Sequence, residues 1–226
     1  MFQMRPRYSP GFMKYAKTLP ITLSGVLMAA ISEVICYNNI QEAFLSNRLT
    51  WFGVEYVCDA RNWAHHQIMS LPSSAETATL TKCTPQATVF DAVRHALIVC
   101  SLITIFPLPL SSVPFPELAS RLESDISQVL QDGQGAIPTS LLLWISSMAA
   151  LAAIGTPKRA SLVAIAARLC RNLHISSWES MQAILQDYFW SGDISDFDGI
   201  YLFLELQMQM LEQDAGNGDT IEDEIT

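Results

Sequence analysis

The residues that come nearest to a metal site by their types and spacing are Cys58, Asp59, Asn62, His65 and His66. Thiolate, carboxylate and imidazole groups bind Zn²⁺, and on a helix Cys58 and His65 would share one face two turns apart. His65 and His66 are adjacent, however, and would point about 100° apart on a helix, so that both cannot bind one ion. We therefore expect no metal and no cofactor here, and interpret the histidine pair as partly solvated side chains near Trp63.

A second group of carboxylates, Asp193, Asp196 and Asp198, lies in the segment WSGDISDFDG at 190–199. Oxygen ligands at this density are typical of calcium loops. The segment lacks the glycine at position six and the bidentate glutamate that such a loop requires. We therefore predict a loop rich in serine, glycine and aspartate, which precedes a helix over Tyr201–Leu211.

Signatures of catalysis are missing from the sequence. It contains no Gly-x-Ser-x-Gly, no glycine-rich phosphate loop and only ten glycines. His95 and His174 are isolated, and we interpret each as a helix-terminus or surface imidazole rather than a general base. We predict that the protein is not an enzyme and has no catalytic residues. A helical enzyme is a less favoured alternative, which would need a polar cluster in a pocket.

The charge of the chain is unevenly distributed. Its net charge is −9, the segment up to Ser32 carries +4, and the last fifteen residues carry six acids and no base. Subtracting both ends from the total leaves −7 for residues 33–211. A body of that sign repels phosphate backbones, so we expect no direct sequence-specific DNA binding.

The composition is typical of an intracellular protein that is unusually rich in apolar residues. The chain has 226 residues, half of them apolar and 15% charged, which is enough for one large domain. Its five cysteines are an odd number and include no Cys-x-x-Cys pair. We therefore expect reduced, packed cysteines rather than a disulfide framework.

Three apolar runs leave a membrane alternative open. Leu19–Ile31 follows a basic start, as in a targeting peptide, but its preceding segment is long and polar residues dilute it. Ala96–Leu110 is short and broken by two prolines. Ile137–Ile154 has eighteen residues without a charge, and a helix buried on all sides of a globular core has the same composition. A membrane- or organelle-associated helical protein is therefore the alternative to a globular one.

The spacing of apolar residues is helical throughout, without alternation of period two. It predicts an all-α fold, a single irregular domain of about seven or eight helices over residues 1–211, followed by an acidic disordered tail over 212–226. The first half is predicted to hold a helix over Pro20–Cys36 capped by Thr18, a short helix over Ile40–Ser46 and a third over Phe52–Met69. A polar loop at 71–85 follows.

The second half has clearer helix boundaries. Thr88 and Asp91 indicate the start of a helix that runs to Phe106, and Pro116 begins the next one after a proline-rich connector. Ser176 and Glu179 form a capping-box pattern for a further helix.

A buried antiparallel hairpin over 137–173 is predicted at the centre of the fold. In its turn, Gly155 ends the first helix, Thr156 caps the second and Pro157 begins it. The basic residues of the second helix are expected to face solvent: Lys158, Arg159, Arg168 and Arg171. Trp178 is expected to be buried against this hairpin, together with Met181 and Leu185.

The order of elements in the second half resembles the regulatory domain of fungal-specific transcription factors of the zinc-cluster type. The resemblance covers about 89–206 and rests on VFDAVRHALIVCSLITIF at 89–106, LASRLESDISQVL at 118–130, LLLWISSMAALAAIGTPKRASLVAIAARL at 141–169 and HISSWESMQAILQDYFW at 174–190. These segments are similar to the family's apolar helix before a proline connector, its Leu/Arg-rich helix, its Leu-Leu-Trp helix with a Gly-x-Pro turn, and its Ser-Trp-Glu segment.

The resemblance implies a nuclear helical domain that responds to a ligand or partner, in fungi often encoded beside gene clusters of secondary metabolism. The six-cysteine zinc cluster that reads DNA in this family has no counterpart in residues 1–88, where Cys36, Cys58 and Cys83 lie far apart. We therefore expect a transcription-factor-like regulatory protein without its own DNA-binding domain. It would act through protein contacts, dimerisation among them, or through a small ligand.

Overall fold

The computed structural model describes residues 9–19, 21–46, 53–73, 76, 85–131, 137–190 and 192–218. These parts of the chain contain nine α-helices and no strand. The helices are α1 (Pro10–Ala16), α2 (Ile21–Leu45), α3 (Val54–Met69), α4 (Pro85–Thr104), α5 (Pro114–Gln131), α6 (Thr139–Ala152), α7 (Arg159–Asn172), α8 (Trp178–Gln186) and α9 (Gly192–Gly218). The predicted all-α fold is confirmed, with one continuous hydrophobic core.

Helix α6 forms the centre of the fold. Every residue from Leu141 to Ala152 is buried, and the helix contacts α4, α5, α7, α8 and α9. The segment can be enclosed in this way because it has no charged side chain, and because the Ser147 hydroxyl donates to the carbonyl of Leu143 at 2.8 Å. Helices α6 and α7 form the predicted central hairpin.

The turn of this hairpin differs in part from its prediction. Helix α6 ends at Ala152, three residues earlier than predicted, and Gly155 lies in the turn with a φ of +76°, a conformation that favours glycine. Thr156 does not cap α7, because its hydroxyl donates to the carbonyl of Ala153 at 2.8 Å and so satisfies the end of α6. Helix α7 begins at Arg159 and not at Pro157, which lies in the turn.

Helix α2 is longer than predicted. It runs without interruption from Ile21 to Leu45 and joins the two helices expected on either side of Asn38-Asn39. Asparagine costs a helix only about 0.7 kcal/mol or less, and α3 packs along α2 to offset that cost. Thr18, expected to cap α2, instead donates to the carbonyl of Tyr15 at 2.7 Å at the end of α1.

Helix α1, which the sequence analysis did not predict, is seated in the core of the second half. Phe12 is fully buried, and its ring centroid lies 5.1 Å from that of Trp144 and 5.3 Å from that of Tyr188. The Ser9 hydroxyl donates to the carbonyl of Asp187 at 2.9 Å. Residues near the start of the described chain therefore belong to the same domain as α6 and α8.

Two helices of the second half begin earlier than predicted. Helix α4 begins at Pro85, so Thr88 and Asp91 lie inside its first turns and not at its start. Helix α5 begins at Pro114 rather than Pro116. Both starts lie at a proline, which suits the first turn of a helix because its missing N–H has no partner there.

The capping box of α8 lies one residue later than predicted. The Ser177 hydroxyl accepts from the backbone N–H of Ser180 at 3.3 Å, and the Ser180 hydroxyl accepts from the N–H of Ser177 at the same distance. Ser176 and Ser177 are both good caps, so the sequence allowed two registers. Glu179 remains in the first turn, where hydrogen bonds from its own backbone N–H and from the Ser177 hydroxyl lower its pKa.

Helix α9 begins earlier and ends later than predicted. Its backbone is helical from Gly192 to Gly218, so the segment with the three aspartates is helix and not loop. Acidic residues in a first turn favour an early start because they complement the helix dipole. Residues 212–218 of the predicted tail are helical too, while 219–226 lie outside the described residues, as does most of the predicted loop at 71–85.

Two helical segments in the described ranges, Thr22–Leu45 and Ala87–Thr104, are long and apolar enough to cross a membrane. The same test is met by core helices and by signal sequences. Of the 18 most apolar consecutive residues in each segment, 61% are buried in α4 but only 33% in α2. Helix α4 is therefore mostly enclosed, as a core helix is, whereas much of the surface of α2 is not covered by other helices.

Candidate functional site

The residues considered as metal ligands lie along α3 and point in different directions. Nδ1 of His65 lies 2.6 Å from the Ser101 hydroxyl on α4, while the His66 ring stacks on Trp63 with centroids 5.8 Å apart. Burial, and then the nearby His66, lower the pKa of His65. Within the described residues, no group of three histidine, cysteine, aspartate or glutamate side chains is placed to hold a metal ion.

His95 was predicted to lie at a helix terminus or on the surface, and this prediction is wrong. The residue is buried within α4. Its Nδ1 lies 2.7 Å from Oδ2 of Asp125, so it joins α4 to α5. Its Nε2 lies 3.4 Å from Nη1 of Arg94, whose Nε donates to the carbonyl of Leu71 at 2.7 Å. Both ring nitrogens thus face structural partners rather than a substrate cavity. His174 is exposed just after α7, at a helix terminus as predicted.

Trp178 contacts α9, a neighbour that was not predicted, while its predicted contact with the α6–α7 hairpin stays a prediction. It is half-buried, with its ring 5.9 Å from Trp190 and 6.4 Å from Phe203. Trp178 is the first residue of α8, and at this end of the helix its neighbour is α9. Met181 and Leu185, further along the helix, are fully buried as expected.

The described surface that most strongly indicates a function lies on α9. One face of this helix is anchored in the core by Leu202, Phe203 and Leu206, none more than 5% exposed. The opposite face carries six large apolar side chains that are 42–71% exposed. These six residues, called the α9 stripe, are Phe197, Ile200, Tyr201, Leu204, Met208 and Leu211. Spacings of one, three and four residues place them in a continuous band on the helix.

The α9 stripe is large for an uncovered surface. Taking about 200 Å² for each of its two aromatic side chains and about 100 Å² for each of its four aliphatic ones, the exposed fractions leave on the order of 500 Å² uncovered. The largest apolar patch of a typical monomer covers roughly 300–600 Å² and is often functional, and one partner contributes ~800 Å² to a standard protein interface. The stripe is therefore as large as the largest apolar patch of a typical monomer, which makes it a candidate interaction surface.

A groove lies beside the stripe, between the start of α7 and the second half of α9. Its volume is about 370 Å³, and Met208 belongs both to the stripe and to the groove wall. The lining residues are Thr156, Pro157, Arg159, Ala160, Val163, Glu205, Met208, Gln209 and Glu212. The groove and the stripe thus form one continuous surface.

Arg159 fixes the wall of this groove. Its Nε and Nη2 donate to the two carboxylate oxygens of Glu205 at 3.1 and 3.0 Å, and its Nη1 donates to the carbonyl of Ala150. One planar side chain therefore joins α6, α7 and α9. The neighbouring Lys158 pairs with Glu123 of α5. The prediction that Arg159 is available to solvent is wrong, because Glu205 covers it and leaves its side chain only 18% exposed, whereas Lys158 keeps 39% of its side chain exposed beside Glu123.

Sequence reasoning did not identify the α9 stripe. This helix is apolar on two opposite faces, so no single band stands out, and such a pattern is also that of a fully buried helix. The sequence does contain a signal for the stripe, because the apolar residues of α9 fall into two interleaved sets. Leu202, Phe203 and Leu206 form the inner set, while Phe197 and Leu204 begin an outer set with a spacing of seven.

No protein-family model, curated protein or solved structure matches this chain. The resemblance to fungal transcription-factor regulatory domains therefore stays a prediction from the sequence. The candidate site rests on the geometry of α9 and α7.

Proposed function

We propose that this chain is a transcription-factor-like helical regulatory domain that acts through protein contacts at the α9 stripe rather than by contacting DNA itself. The stripe is the observation that supports this proposal. It exposes a continuous apolar band on a helix whose other face is held by Leu202 and Leu206 and whose middle is held by Arg159. A preorganised surface of this kind loses little entropy on binding a partner.

The charge of the chain also supports action through protein. The excess of acids over residues 33–211 opposes direct contact with a phosphate backbone. A regulatory domain of this charge would reach DNA through a separate DNA-binding surface and not through its own. The sequence resemblance favours the nucleus as the site of action and a fungal metabolic gene cluster as the setting.

The groove supports a protein partner more than an independent small ligand. Its volume is near the lower end of the roughly 300–1,000 Å³ of small-molecule pockets. Arg159 and Glu205, the charged residues most able to orient a ligand, are already paired with each other. Because Met208 connects it to the stripe, the groove suits one large side chain of a docked protein.

A tethering experiment tests this function. The chain is fused to a heterologous DNA-binding module in a fungal host, and output from a reporter promoter carrying its binding site is measured. We expect the fusion to change reporter output relative to the module alone. The double variant Leu204→Asp/Met208→Asp should abolish the change, because two carboxylates would be buried in any interface on the stripe.

A matched control separates the stripe from exposed apolar residues in general. Val113 is 89% exposed and lies between α4 and α5. The Val113→Asp fusion should behave like the unmodified one. A nuclear, normally accumulating fusion that leaves the reporter unchanged would reject the proposed function. Equal activity of the stripe variant and the unmodified chain would reject the stripe as its site.

Membrane or organelle association is a second candidate function, favoured by the exposed surface of α2. Of the 18 most apolar consecutive residues of α2, only 33% are buried. Glu33 and Glu42 lie within this helix, and carboxylates in a lipid core are costly. Alkaline carbonate extraction of the tagged protein decides between the candidates. Release into the supernatant would reject membrane insertion, and retention in the pellet would support it.

A further inference from the structure

The acidic residues of α9 are placed in register with its stripe. Asp198, Glu205 and Glu212 are seven residues apart, and each directly follows a stripe residue in sequence. On a helix this arrangement puts the three carboxylates in one row along a flank of the apolar band. Between Gly192 and Gly218 the helix carries six acidic residues and no basic one.

The surroundings of this row show where added positive charge would be most favourable. Glu205 already accepts two hydrogen bonds from Arg159, so its charge is largely compensated within the chain. Glu212 is exposed and lines the groove together with Met208. An occupant that covers Leu204 and Met208 would therefore lie beside Glu212. A cation of the occupant would make its most favourable electrostatic interaction at that point.

The same charges disfavour two other occupants. A second copy of the chain would bring two acidic helices together along one seam, and each chain carries a net charge of −9. Anionic lipid headgroups would be repelled for the same reason. Charge complementarity instead selects a basic partner whose apolar side chains repeat at helical spacing.

We propose that the α9 stripe and its groove bind a basic amphipathic helix of a partner protein. Apolar side chains at i, i+3, i+4 and i+7 of that helix cover the stripe, one large side chain enters the groove beside Met208, and a lysine or arginine lies against Glu212. This is the helix-in-groove mode of recognition. The proposal rests on the proposed function, because it names the partner of the same surface.

Two synthetic peptides provide the probe. Each is an amphipathic helix of about 18 residues, long enough for five turns, with leucine at the a and d positions of its heptads. One peptide has lysine at the e and g positions, and the other has glutamate there. Binding to the full chain is measured by fluorescence anisotropy. We expect the lysine peptide to bind and the glutamate peptide not to bind.

Variants assign this binding to the surface. Leu204→Asp should weaken binding of the lysine peptide by about tenfold or more, as expected for a residue at an interface centre. Glu212→Lys should weaken it roughly three- to tenfold, because an attractive pair becomes repulsive. The control Val113→Asp should stay within about twofold, since it changes an exposed site outside the stripe. Circular dichroism of each variant checks that it is folded.

The outcomes separate this inference from the proposed function. Equal binding of both peptides, or binding of the lysine peptide that Leu204→Asp does not weaken, would overturn the inference as general electrostatic attraction. Self-association in sedimentation that Leu204→Asp removes would overturn it in favour of a second copy, while an active tethered fusion would keep the proposed function. Selective binding of the lysine peptide with an inactive fusion would keep the inference and reject that function.

Discussion

Gly199 lies against the indole ring of Trp178 at the contact between α8 and α9. A methyl group added to this glycine would lie 2.4 Å from Cη2 of Trp178 and 2.4 Å from Cζ2 of Trp190. The two indoles meet edge to face with ring centroids 5.9 Å apart. The absence of a side chain at 199 therefore sets how closely the two helices approach.

Gly199→Ala should destabilise the protein by about 1–3 kcal/mol, because two large rings must move to admit one methyl group. The same change at Gly25, where nothing lies within 4 Å of the added methyl, should instead stabilise α2 by roughly 0.5–1 kcal/mol. Urea denaturation of both variants measures the free energy of unfolding. If Gly199→Ala were as stable as Gly25→Ala, the described packing of α8 on α9 would be wrong.

Gly155→Val should cost roughly 1 kcal/mol or more. The site is open, since nothing lies within 4 Å of an added Cβ, so the cost comes from the positive φ of +76° alone. Gly155→Asn is the matched variant, because asparagine tolerates this conformation better than valine, and it should cost less. Thermal melting distinguishes them. Equal melting temperatures for all three proteins would contradict the positive φ described at Gly155.

The stability contributed by Glu123 should depend on pH. Hydrogen bonds from Lys158 and Ser161 lower the pKa of this carboxyl below its ordinary 4.5. The ionised form therefore stabilises the fold above that value, and this contribution is lost as pH falls through the lowered pKa. Glu123→Gln should reduce the free energy of unfolding by about 0.5–1 kcal/mol at pH 7 and by less in acid.

A matched change on the same helix controls for general effects of charge. Glu117 pairs with Arg121 on the exposed side of α5, with side-chain exposures of 65% and 55%. Glu117→Gln should change stability little at either pH, because an exposed ion pair contributes little. If the difference between Glu123→Gln and the unmodified protein were the same at pH 7 and pH 3, the described contact with α7 would be contradicted.

The purified chain should show no sequence-specific DNA binding. Its residues 33–211 carry an excess of seven acids over bases. Contacts to phosphate alone fade steeply with salt, so any weak binding seen at low salt should disappear at about 150 mM. A footprint on a defined sequence that persists at that salt concentration would overturn this prediction.

The central hairpin could be predicted from the sequence because its signals are local. A charge-free run predicts a buried helix, and Gly155 marks the turn after it because the positive φ there favours glycine. The contacts of Arg159 and His95 could not be predicted in this way. Their partners Glu205 and Asp125 lie 46 and 30 residues away in sequence, and only the fold brings them together.

The α9 stripe could not be predicted from the sequence for a different reason. A pattern of apolar residues tells which positions avoid water or bind a partner, but not which of the two. On α9, Leu202 and Leu204 have the same chemistry, yet one is fully buried and the other is 49% exposed. Only the positions of α4, α6 and α7 around the helix decide between them.

The enclosure of α6 has a consequence for how the molecule opens. A helix in contact with α4, α5, α7, α8 and α9 cannot fray while its neighbours stay in place. Its backbone amides should therefore exchange with deuterium only when the entire domain opens, whereas a helix at the periphery can exchange by local fluctuation. The exchange rate of α6 would then report the global free energy of unfolding. A change at the distant Gly199 should raise the logarithm of that rate in proportion to the stability it removes.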